Sequence, residues 1–323
     1  LKVNMTDKGA GLFGNVCKGG IIKNLTVEGT VAGGQYVGGI VAYLGGGKVE
    51  NCTNNANITA TLKTNAFVGG IVGDMSNYTD KSSYIVGCVN NGSINGGENV
   101  YIGGIAGQAG YGPGIDNCVN NGAVSGKASV GGITGSSSIP ISNCSNHGNV
   151  TATQNSVGGI VGFANKIVSY CYNTGNVSGK GAAEDGVGGI VGRLHNAYGG
   201  SVDSSLNTGV INAESEFYGA IVGTKGKNTS DKVSVTNSYY LASADKGIGT
   251  EQSPEETVSA LTAEEIASPL TAAKLGGRFA YKAGASTPLL DFEDAEAKHV
   301  TGFATVPANA VVTLTKDGAA VAP

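Results

Sequence analysis

The chain contains little of what most catalytic and nucleic-acid-binding proteins rely on. Among its 323 residues there is no Trp, only three are His, and charged residues make up 14%, with a net charge of -4. Only Arg193 and Arg278 are Arg, and the Lys residues form no basic stripe, which argues against a nucleic-acid partner. No apolar run approaches the roughly 20 residues of a membrane-spanning helix, so we expect no membrane insertion. The chain starts at Leu1 without a signal peptide, and we interpret it as part of a longer protein.

The six cysteines lack the spacing of a metal site or of a disulfide framework. No Cys-x-x-Cys pair occurs, and one Cys per repeat gives no tetrahedral metal cluster, so no metal or cofactor is expected. Five share one position of the repeat, where parallel neighbouring side chains fit disulfide geometry poorly. We predict that Cys17 is a more exposed thiol and that the five form a reduced, buried column: Cys52, Cys88, Cys118, Cys144 and Cys171.

Gly, by contrast, is abundant, with 55 residues, many of them in one recurring phrase, Val-Gly-Gly-Ile-Val-Gly. Equivalent positions of the phrase are separated by 28, 31, 34, 28, 27, 30 and 31 residues and lie at 10, 38, 69, 103, 131, 158, 188 and 219. A period of about 30 residues is typical of a stacked-repeat protein. We expect the paired Gly residues where the backbone packs closely at a corner.

The second half of each repeat reads Asn-Cys-x-Asn-x-Gly-x-Val, as at positions 117–124. Counting from the Cys, the Val or Ile at +6 should point inward, and the Asn at +2 should bond to its copy in the next turn as a ladder. The Gly at +4 is expected to supply a positive φ at a corner. Two or three short strands per repeat predict an all-β fold, a right-handed parallel β-helix (β-solenoid) of about eight coils. A β-propeller is the rival fold, but its four-stranded blades need a longer repeat.

The repeats stop near Ser243, which divides the chain into three predicted parts. Residues 1–242 form the β-solenoid. Residues 243–294 form a small mixed α/β cap, because Thr262 to Glu265 is a capping box and Ser268-Pro269 starts a second helix. Residues 295–323 are expected to start a β-sandwich-like module or to add strands to the cap, with Asp317-Gly318 as a hairpin turn.

The phrase Gly-Gly-Ile-Val-Gly, followed by Asn-Cys-x-Asn-x-Gly-x-Val, resembles the GLUG-motif repeats of large bacterial cell-surface and secreted proteins. Gly11-Leu12-Phe13-Gly14 is close to the opening of that motif. The tail is similar to the ends of such arrays at positions 237–241, 261–265 and 287–290. The resemblance implies an extracellular, cell-surface setting among proteins often called adhesins, and it carries over no catalytic residues.

Positions +5 and +7 flank the inward residue at +6, so their side chains should face outward as one flat wall of short hydroxyl and amide groups. This wall is by default a solubilising surface, and the sharper hypothesis is a docking surface for carbohydrate or an extracellular protein, with ice binding as a further alternative. Its residues are Asn57, Thr59, Ser93, Asn95, Ser125, Asn149, Thr151, Asn176 and Ser178.

The remaining polar residues suggest no catalytic group. The acidic residues are scattered, and no Ser/His/Asp arrangement can be assembled around the three His. The pairs Asp74 with Asp80 and Glu184 with Asp185 are alternative loop sites for Ca²⁺. We predict a monomeric, non-catalytic, extracellular adhesion or spacer module. The alternative is a β-helical carbohydrate-active enzyme, a polysaccharide lyase or glycoside hydrolase, which would need acidic and basic residues clustered in a cleft.

Overall fold

The computed structural model describes residues 1–5, 8–62, 66–154, 156–195, 199–226, 233–250 and 252–297, together with the strands Thr315–Lys316 and Ala319–Ala320. The described residues form a parallel β-solenoid of about seven turns with a small mixed α/β segment at its C-terminal end, which confirms the predicted fold class. None of the helices in these ranges is long and apolar enough to cross a membrane.

Each turn contains five short strands, and the copies of each strand pair in parallel into five long sheets, here called A to E in chain order. The prediction of two or three strands per turn was too low, because strands of two or three residues give no alternation pattern to read. Sheet A contains Lys2–Met5, Thr30–Gly33, Asn57–Ala60, Ile94–Asn95, Val124–Gly126, Val150–Ala152, Val177–Gly179 and Ile211–Ala213. Sheet B contains Tyr36–Gly38, Phe67–Gly69, Val100–Gly103, Ala128–Gly131, Val157–Gly158, Val187–Gly188 and Tyr218–Gly219.

The other three sheets complete the turn. Sheet C contains Phe13–Cys17, Val41–Gly45, Val72–Asp74, Ala106–Ala109, Thr134–Ser137, Val161–Ala164, Val191–Leu194 and Val222–Lys225. Sheet D contains Ile21–Lys23, Lys48–Glu50, Tyr84–Val86, Gly114–Asp116, Ile141–Ser142, Ile167–Ser169, Ser201–Asp203 and Ser234–Thr236. Sheet E contains Thr26–Val27, Thr53–Asn54, Val89–Asn90, Val119–Asn120, Ser145–Asn146, Tyr172–Asn173, Leu206–Asn207, Ser238–Leu241 and Val258–Leu261.

Columns of small apolar side chains, one member per turn, fill the interior. In sheet C the strand register aligns Val41 with Val72, and Val161 with Val191. Since adjacent parallel strands lie about 4.8 Å apart, each side chain packs on its copy in the next turn. The predicted inward column is confirmed, because each of its members is 0% exposed: Val41, Val72, Val161, Val191 and Val222.

The Asn at +2 forms the predicted ladder through the interior. The Nδ2 of Asn90 donates to Oδ1 of Asn120 at 2.7 Å, and the Nδ2 of Asn120 donates to Oδ1 of Asn146 at 2.7 Å. Each Nδ2 also donates to the carbonyl oxygen two residues further on, as Asn120 does to Gly122 at 2.8 Å. The ladder therefore satisfies polar groups at a corner that water does not reach. Its members are Asn54, Asn90, Asn120, Asn146, Asn173 and Asn207.

The Gly at +4 has the expected positive φ only in the first repeat, where Gly29 has φ 112°. Among Gly92, Gly122, Gly148, Gly175 and Gly209 none has a positive φ. These residues are Gly because a Cβ would meet the carbonyl oxygen of the preceding turn, 2.0 Å away at Gly122 and at Gly148. The constraint is a close approach between turns, and a local turn rule does not reveal it.

The left-handed corner lies instead at the residue before the Cys position. There φ ranges from 47° to 65° in eight successive repeats, and five of the eight residues are Asn, which tolerates this region better than most side chains. The corner residues are Asn24, Asn51, Gly87, Asn117, Asn143, Tyr170, Ser204 and Asn237.

The five cysteines in one register are free and fully buried, while Cys17 is free and exposed, as predicted. Each buried Sγ lies near the carbonyl oxygen two residues earlier, for instance 3.2 Å from Asp116 in Cys118 and 3.1 Å from Ser142 in Cys144. Burial raises the pKa of both thiols well above the ordinary value. The five buried cysteines therefore pack as small apolar core residues.

We expect thiol labelling without denaturant to modify Cys17 alone. The thiolate is the reactive form, and burial keeps the column thiols protonated and out of contact with the reagent. Mass spectrometry after a timed reaction counts the modified residues. Fast modification of several column cysteines, or two internal disulfides, would contradict the buried register.

The C-terminal segment packs along the side of the solenoid. Helix α1 (Ala263–Ile266) begins at the predicted capping box of Thr262 and Glu265, and helix α2 (Pro269–Leu275) begins after Ser268. A two-stranded antiparallel pair follows, Phe279–Ala280 with Leu289–Leu290. This segment and the outer face of sheet E share one apolar cluster, formed by Tyr172, Leu206, Leu261, Ile266, Leu275, Phe279 and Leu290.

Two earlier stretches extend the stack beyond the last repeat. Ile248 pairs with Val222, and Val258–Leu261 pairs with Ser238–Leu241 as the ninth strand of sheet E. The lateral packing comes after this partial turn. Of the predicted module at 295–323, the structure describes residues 295–297 and the antiparallel pair Thr315–Lys316 with Ala319–Ala320. The rest of that module, including the predicted turn at Asp317-Gly318, lies outside the described residues.

One carboxylate fastens the end of this segment to sheet E. Glu293 accepts hydrogen bonds from the Ser145 hydroxyl at 2.5 Å, the Tyr172 hydroxyl at 2.6 Å and the Leu290 backbone N–H at 3.1 Å. Burial alone would raise the pKa of Glu293, but hydrogen bonds, including one to His147, hold it below its ordinary value. The segment is therefore bound to the side wall by both apolar and charged contacts.

Candidate binding surfaces

The predicted wall is the outer face of sheet A. The inward residues Ile58, Ile94 and Val124 are 1% exposed, while the residues on either side of them point away from the core. Ser125 and Ser178 are half-exposed and the other seven members are exposed. We call this surface the polar wall: Asn57, Thr59, Ser93, Asn95, Ser125, Asn149, Thr151, Asn176 and Ser178.

Hydrogen bonds between turns order part of the polar wall. The Ser93 backbone N–H and hydroxyl both donate to Oδ1 of Asn57, at 3.0 and 2.8 Å. Asn149 accepts from the Asn176 backbone N–H at 3.1 Å, and Asn176 accepts from the Val210 backbone N–H at 3.1 Å. In each of these asparagines Oδ1 accepts a hydrogen bond within the wall, and the side chain lies on an exposed surface. A regular, partly fixed set of donors and acceptors is what a polar docking surface requires.

The C-terminal end of the polar wall runs into a groove of about 830 Å³. Thr151 and Ser178 of the wall line it, together with groups from the next turn and from the chain after the last repeat. Since these positions lie far apart in sequence, no local motif indicates the groove. The other lining residues include Gly209, Val210, Asn212, Glu214, Tyr218, Ser243 and Asp245.

Tyr218 is held in place at this groove from two sides. Its hydroxyl donates to the Asp245 carboxylate, with oxygen distances of 2.9 and 3.0 Å. The Lys246 ammonium lies 4.2 Å from the ring centroid and donates to the Glu216 carbonyl oxygen at 2.6 Å. The hydrogen bond to Asp245 and, to a smaller degree, burial raise the pKa of Tyr218, so the ring stays neutral.

A second feature without a sequence signal is an aromatic column at the corner between sheets B and C. The Tyr36 and Phe67 rings are stacked with centroids 5.7 Å apart, and Phe67 and Tyr101 follow at 5.6 Å. Tyr43 contacts Tyr36 at 5.6 Å. Because the ring faces pack on each other, this column stabilises the corner and presents mainly ring edges outward.

Asp74 lies beside the aromatic column and is only 2% exposed. Its Oδ2 accepts from the Ser76 hydroxyl at 2.8 Å, while its Oδ1 is buried and has no hydrogen-bond partner among the described residues. Burial raises the pKa of Asp74 to about 6, against weaker opposing hydrogen bonds from Ser76. A charged carboxylate here is therefore destabilising at neutral pH.

We expect Asp74→Asn to remove a pH-dependent loss of stability. With a folded pKa of about 6 and an ordinary value of 3.8, the folded state binds the extra proton between these values. Stability should then fall as pH rises from about 4 to 6, by up to about 3 kcal/mol. Urea unfolding at pH 3.5 and 7.5 measures the free energy of unfolding of both chains. The Asp74→Asn variant should be more stable than the parent chain only at pH 7.5. A constant difference at both pH values would contradict the buried charge.

In each carboxylate pair considered for Ca²⁺, at least one member is held by other partners. Asp80 accepts from the Ser82 backbone N–H at 3.0 Å, and Asp185 accepts from Arg193 at 2.9 Å and from the Ser156 hydroxyl at 2.7 Å. Within the described ranges, no group of three or more His, Cys, Asp or Glu side chains is placed to hold a metal ion.

The fold and these surfaces define a parallel β-solenoid repeat protein with exposed side walls. A family model described as the GLUG motif matches residues 33–59, which confirms the resemblance stated above. This match covers one complete turn, from the end of a sheet A strand to the next sheet A strand. Searches of curated proteins and of solved structures found no match.

Proposed function

We propose that the chain is a non-catalytic extracellular adhesion or spacer module that docks through its polar wall to carbohydrate or an extracellular protein. One observation carries the proposal: hydroxyl and amide side chains continue along sheet A through successive turns, exposed or half-exposed, over a rigid column of buried residues. A flat periodic surface of this kind suits an extended partner with a repeating polar pattern. The extracellular setting is supported by the resemblance to GLUG-motif repeats of secreted proteins.

An array of glycans and extracellular-matrix proteins tests this function. The parent chain should bind at least one class of spot, and a variant with Thr59→Arg, Asn95→Arg and Asn149→Arg, none of which lines the groove, should lose at least about tenfold in affinity, since large charged groups disrupt the wall. The matched control carries Asn55→Arg, Asn91→Arg and Asn121→Arg, at exposed positions directly after the sheet E strands. Equal loss in both variants, or no binding by the parent chain, would overturn the proposal.

The same samples separate the enzyme alternative. Polysaccharides incubated with the parent chain should keep their length, measured by size-exclusion chromatography and reducing-end assays. Shortened chains would show catalysis and favour the lyase or glycoside hydrolase alternative over a docking module.

A further inference from the structure

We propose that the groove at the end of the polar wall binds an uncharged pyranose residue, with the Tyr218 ring as a stacking platform. The polar contacts would come from Asn212, Glu214 and Asp245. This inference rests on the proposed function, because it names the partner class for one end of the same wall.

The size and lining of the groove suit a sugar. Its volume of about 830 Å³ lies within the range of roughly 300–1,000 Å³ that small-ligand sites occupy. Thr151 and Ser178 offer hydroxyl groups, and Asn212 offers an amide. Val210, 51% exposed, and Tyr218 add apolar surface. Hydroxyl and amide groups beside apolar surface match a pyranose, which has a ring of hydroxyl groups and an apolar C–H face.

Tyr218 is preorganised for stacking. The hydrogen bond to Asp245 fixes the direction of the ring, and Lys246 covers one part of it at 4.2 Å. Tyr218 lines the groove whereas Lys246 does not, so the ring presents to the groove the surface that the ammonium leaves uncovered. A side chain ordered before binding loses little conformational entropy when a ligand arrives.

The charges at the groove select against acidic sugars. Glu214 and Asp245 line it, and no Lys or Arg is among its lining residues. The nearby Lys246 ammonium already bonds to the Glu216 carbonyl oxygen. Carboxylates accept strong hydrogen bonds from sugar hydroxyls but repel a uronic acid carboxylate, so an uncharged pyranose is the favoured occupant.

The aromatic column at sheets B and C does not compete for this role. Its rings stack on each other, with centroid distances of 5.7 Å between Tyr36 and Phe67 and 5.6 Å between Phe67 and Tyr101. The Phe67 ring has an aromatic neighbour on each side, so a sugar could stack only at the ends of this column. The groove offers an aromatic ring whose neighbour is a lysine.

Titration of the whole chain with methyl glycosides, followed by saturation-transfer NMR, tests the groove. The methyl glycoside of glucose or of galactose should bind with a Kd on the order of 1 mM, typical of a ligand of this size. Methyl glucuronide should bind at least about tenfold more weakly, because of the two carboxylates. Tyr218→Ala should weaken binding of the neutral glycoside at least about tenfold. Tyr78, which is 72% exposed and lies outside the groove, provides the control, and Tyr78→Ala should leave binding unchanged.

A second variant keeps the test decisive if Tyr218→Ala does not fold. The double variant Glu214→Gln with Asp245→Asn retains the hydrogen-bonding groups and removes both charges, so it should bind the glucuronide about as well as the neutral glycoside. The proposal is overturned if no neutral glycoside saturates below about 50 mM, far above the expected Kd. It is also overturned if the glucuronide binds as well as the neutral glycosides to the parent chain.

These outcomes are separate from those of the array. Array binding that is lost with the Arg variant of the polar wall but kept by Tyr218→Ala would leave the docking function standing and reject the groove. Loss of array binding in both variants, with weak neutral glycoside binding only to the parent chain, would support both.

Discussion

Gly104→Ala should destabilise the solenoid by about 3 kcal/mol, a large effect for one methyl group. A Cβ at this position would lie 2.1 Å from the Gly132 carbonyl oxygen and 2.3 Å from the Asn120 Cγ. Neither neighbour can move freely, because one is backbone of the next turn and the other is a member of the buried Asn ladder. The strain should therefore spread to both adjacent turns.

Chemical denaturation of Gly104→Ala beside Gly14→Ala measures this effect. A Cβ at the exposed Gly14 would have no heavy atom within 4 Å, so that variant should change the free energy of unfolding by less than about 0.5 kcal/mol. If both variants unfolded at the same denaturant concentration, the close packing of Gly against the ladder would be wrong.

Asn120→Ala should cost about 3 kcal/mol, since it leaves three buried polar groups without their partners. Asn120 donates to Asn146 Oδ1 and to the Gly122 carbonyl oxygen, and accepts from Asn90 Nδ2. The loss should extend along the column, so backbone amides around Asn90 and Asn146 should exchange faster with deuterium. Urea unfolding measures the size of the loss in stability, and hydrogen exchange shows how far that loss extends along the Asn ladder.

The chain offers a matched control for this substitution. Asn121 is exposed and donates to Asn91 Oδ1 at 2.8 Å in a second ladder outside the core. Asn121→Ala removes the same chemistry where water can replace it, and Ser125→Ala removes a hydroxyl of the polar wall. Both should change stability by no more than about 0.5 kcal/mol. Equal destabilisation by Asn120→Ala and Asn121→Ala would mean that the inside and outside of the turn are exchanged.

The features predicted from sequence are those that repeat in every turn. The Asn at +2, the Cys register and the Val41 column were all correct, because a residue type repeated at one position in successive turns stacks on itself in a parallel solenoid. The capping box at Thr262 and Glu265 was correct since it depends on neighbours in sequence. Predictions of this kind need no knowledge of long-range contacts.

The features that could not be predicted from the sequence depend on contacts between residues far apart in the chain. The close approach of Gly122 to the Gly92 carbonyl oxygen involves two turns, so it was mistaken for a local φ requirement. Packing of the C-terminal segment on sheet E requires a contact between Tyr172 and Phe279. Their ring centroids lie 6.0 Å apart, although more than 100 residues separate them in sequence. Apolar residues at the +1 position of late turns, such as Leu206, were the one available signal for that contact.

The groove illustrates the same limit at a candidate site. Thr151 belongs to the regular pattern, but Glu214 lies in an insertion and Asp245 follows the last repeat. The stacking of turns brings them together, and no spacing rule links them. The groups that lie beside Glu214 could therefore be found only in the folded chain.

Deleting one complete turn tests the stacked-repeat account most directly. Removal of residues 118–143 joins Asn117 to Cys144, so that Asn117 takes the place of Asn143, an equivalent corner residue with φ 50° against 53° for Asn117. Ser145, His147 and Tyr172 then keep their contacts with Glu293. Removal of residues 118–130, about half a turn, serves as the control because it shifts every later strand out of register. The account predicts a folded, monomeric protein with cooperative unfolding for the whole-turn deletion and loss of folding for the half-turn deletion. A whole-turn deletion as unfolded as the control would contradict it.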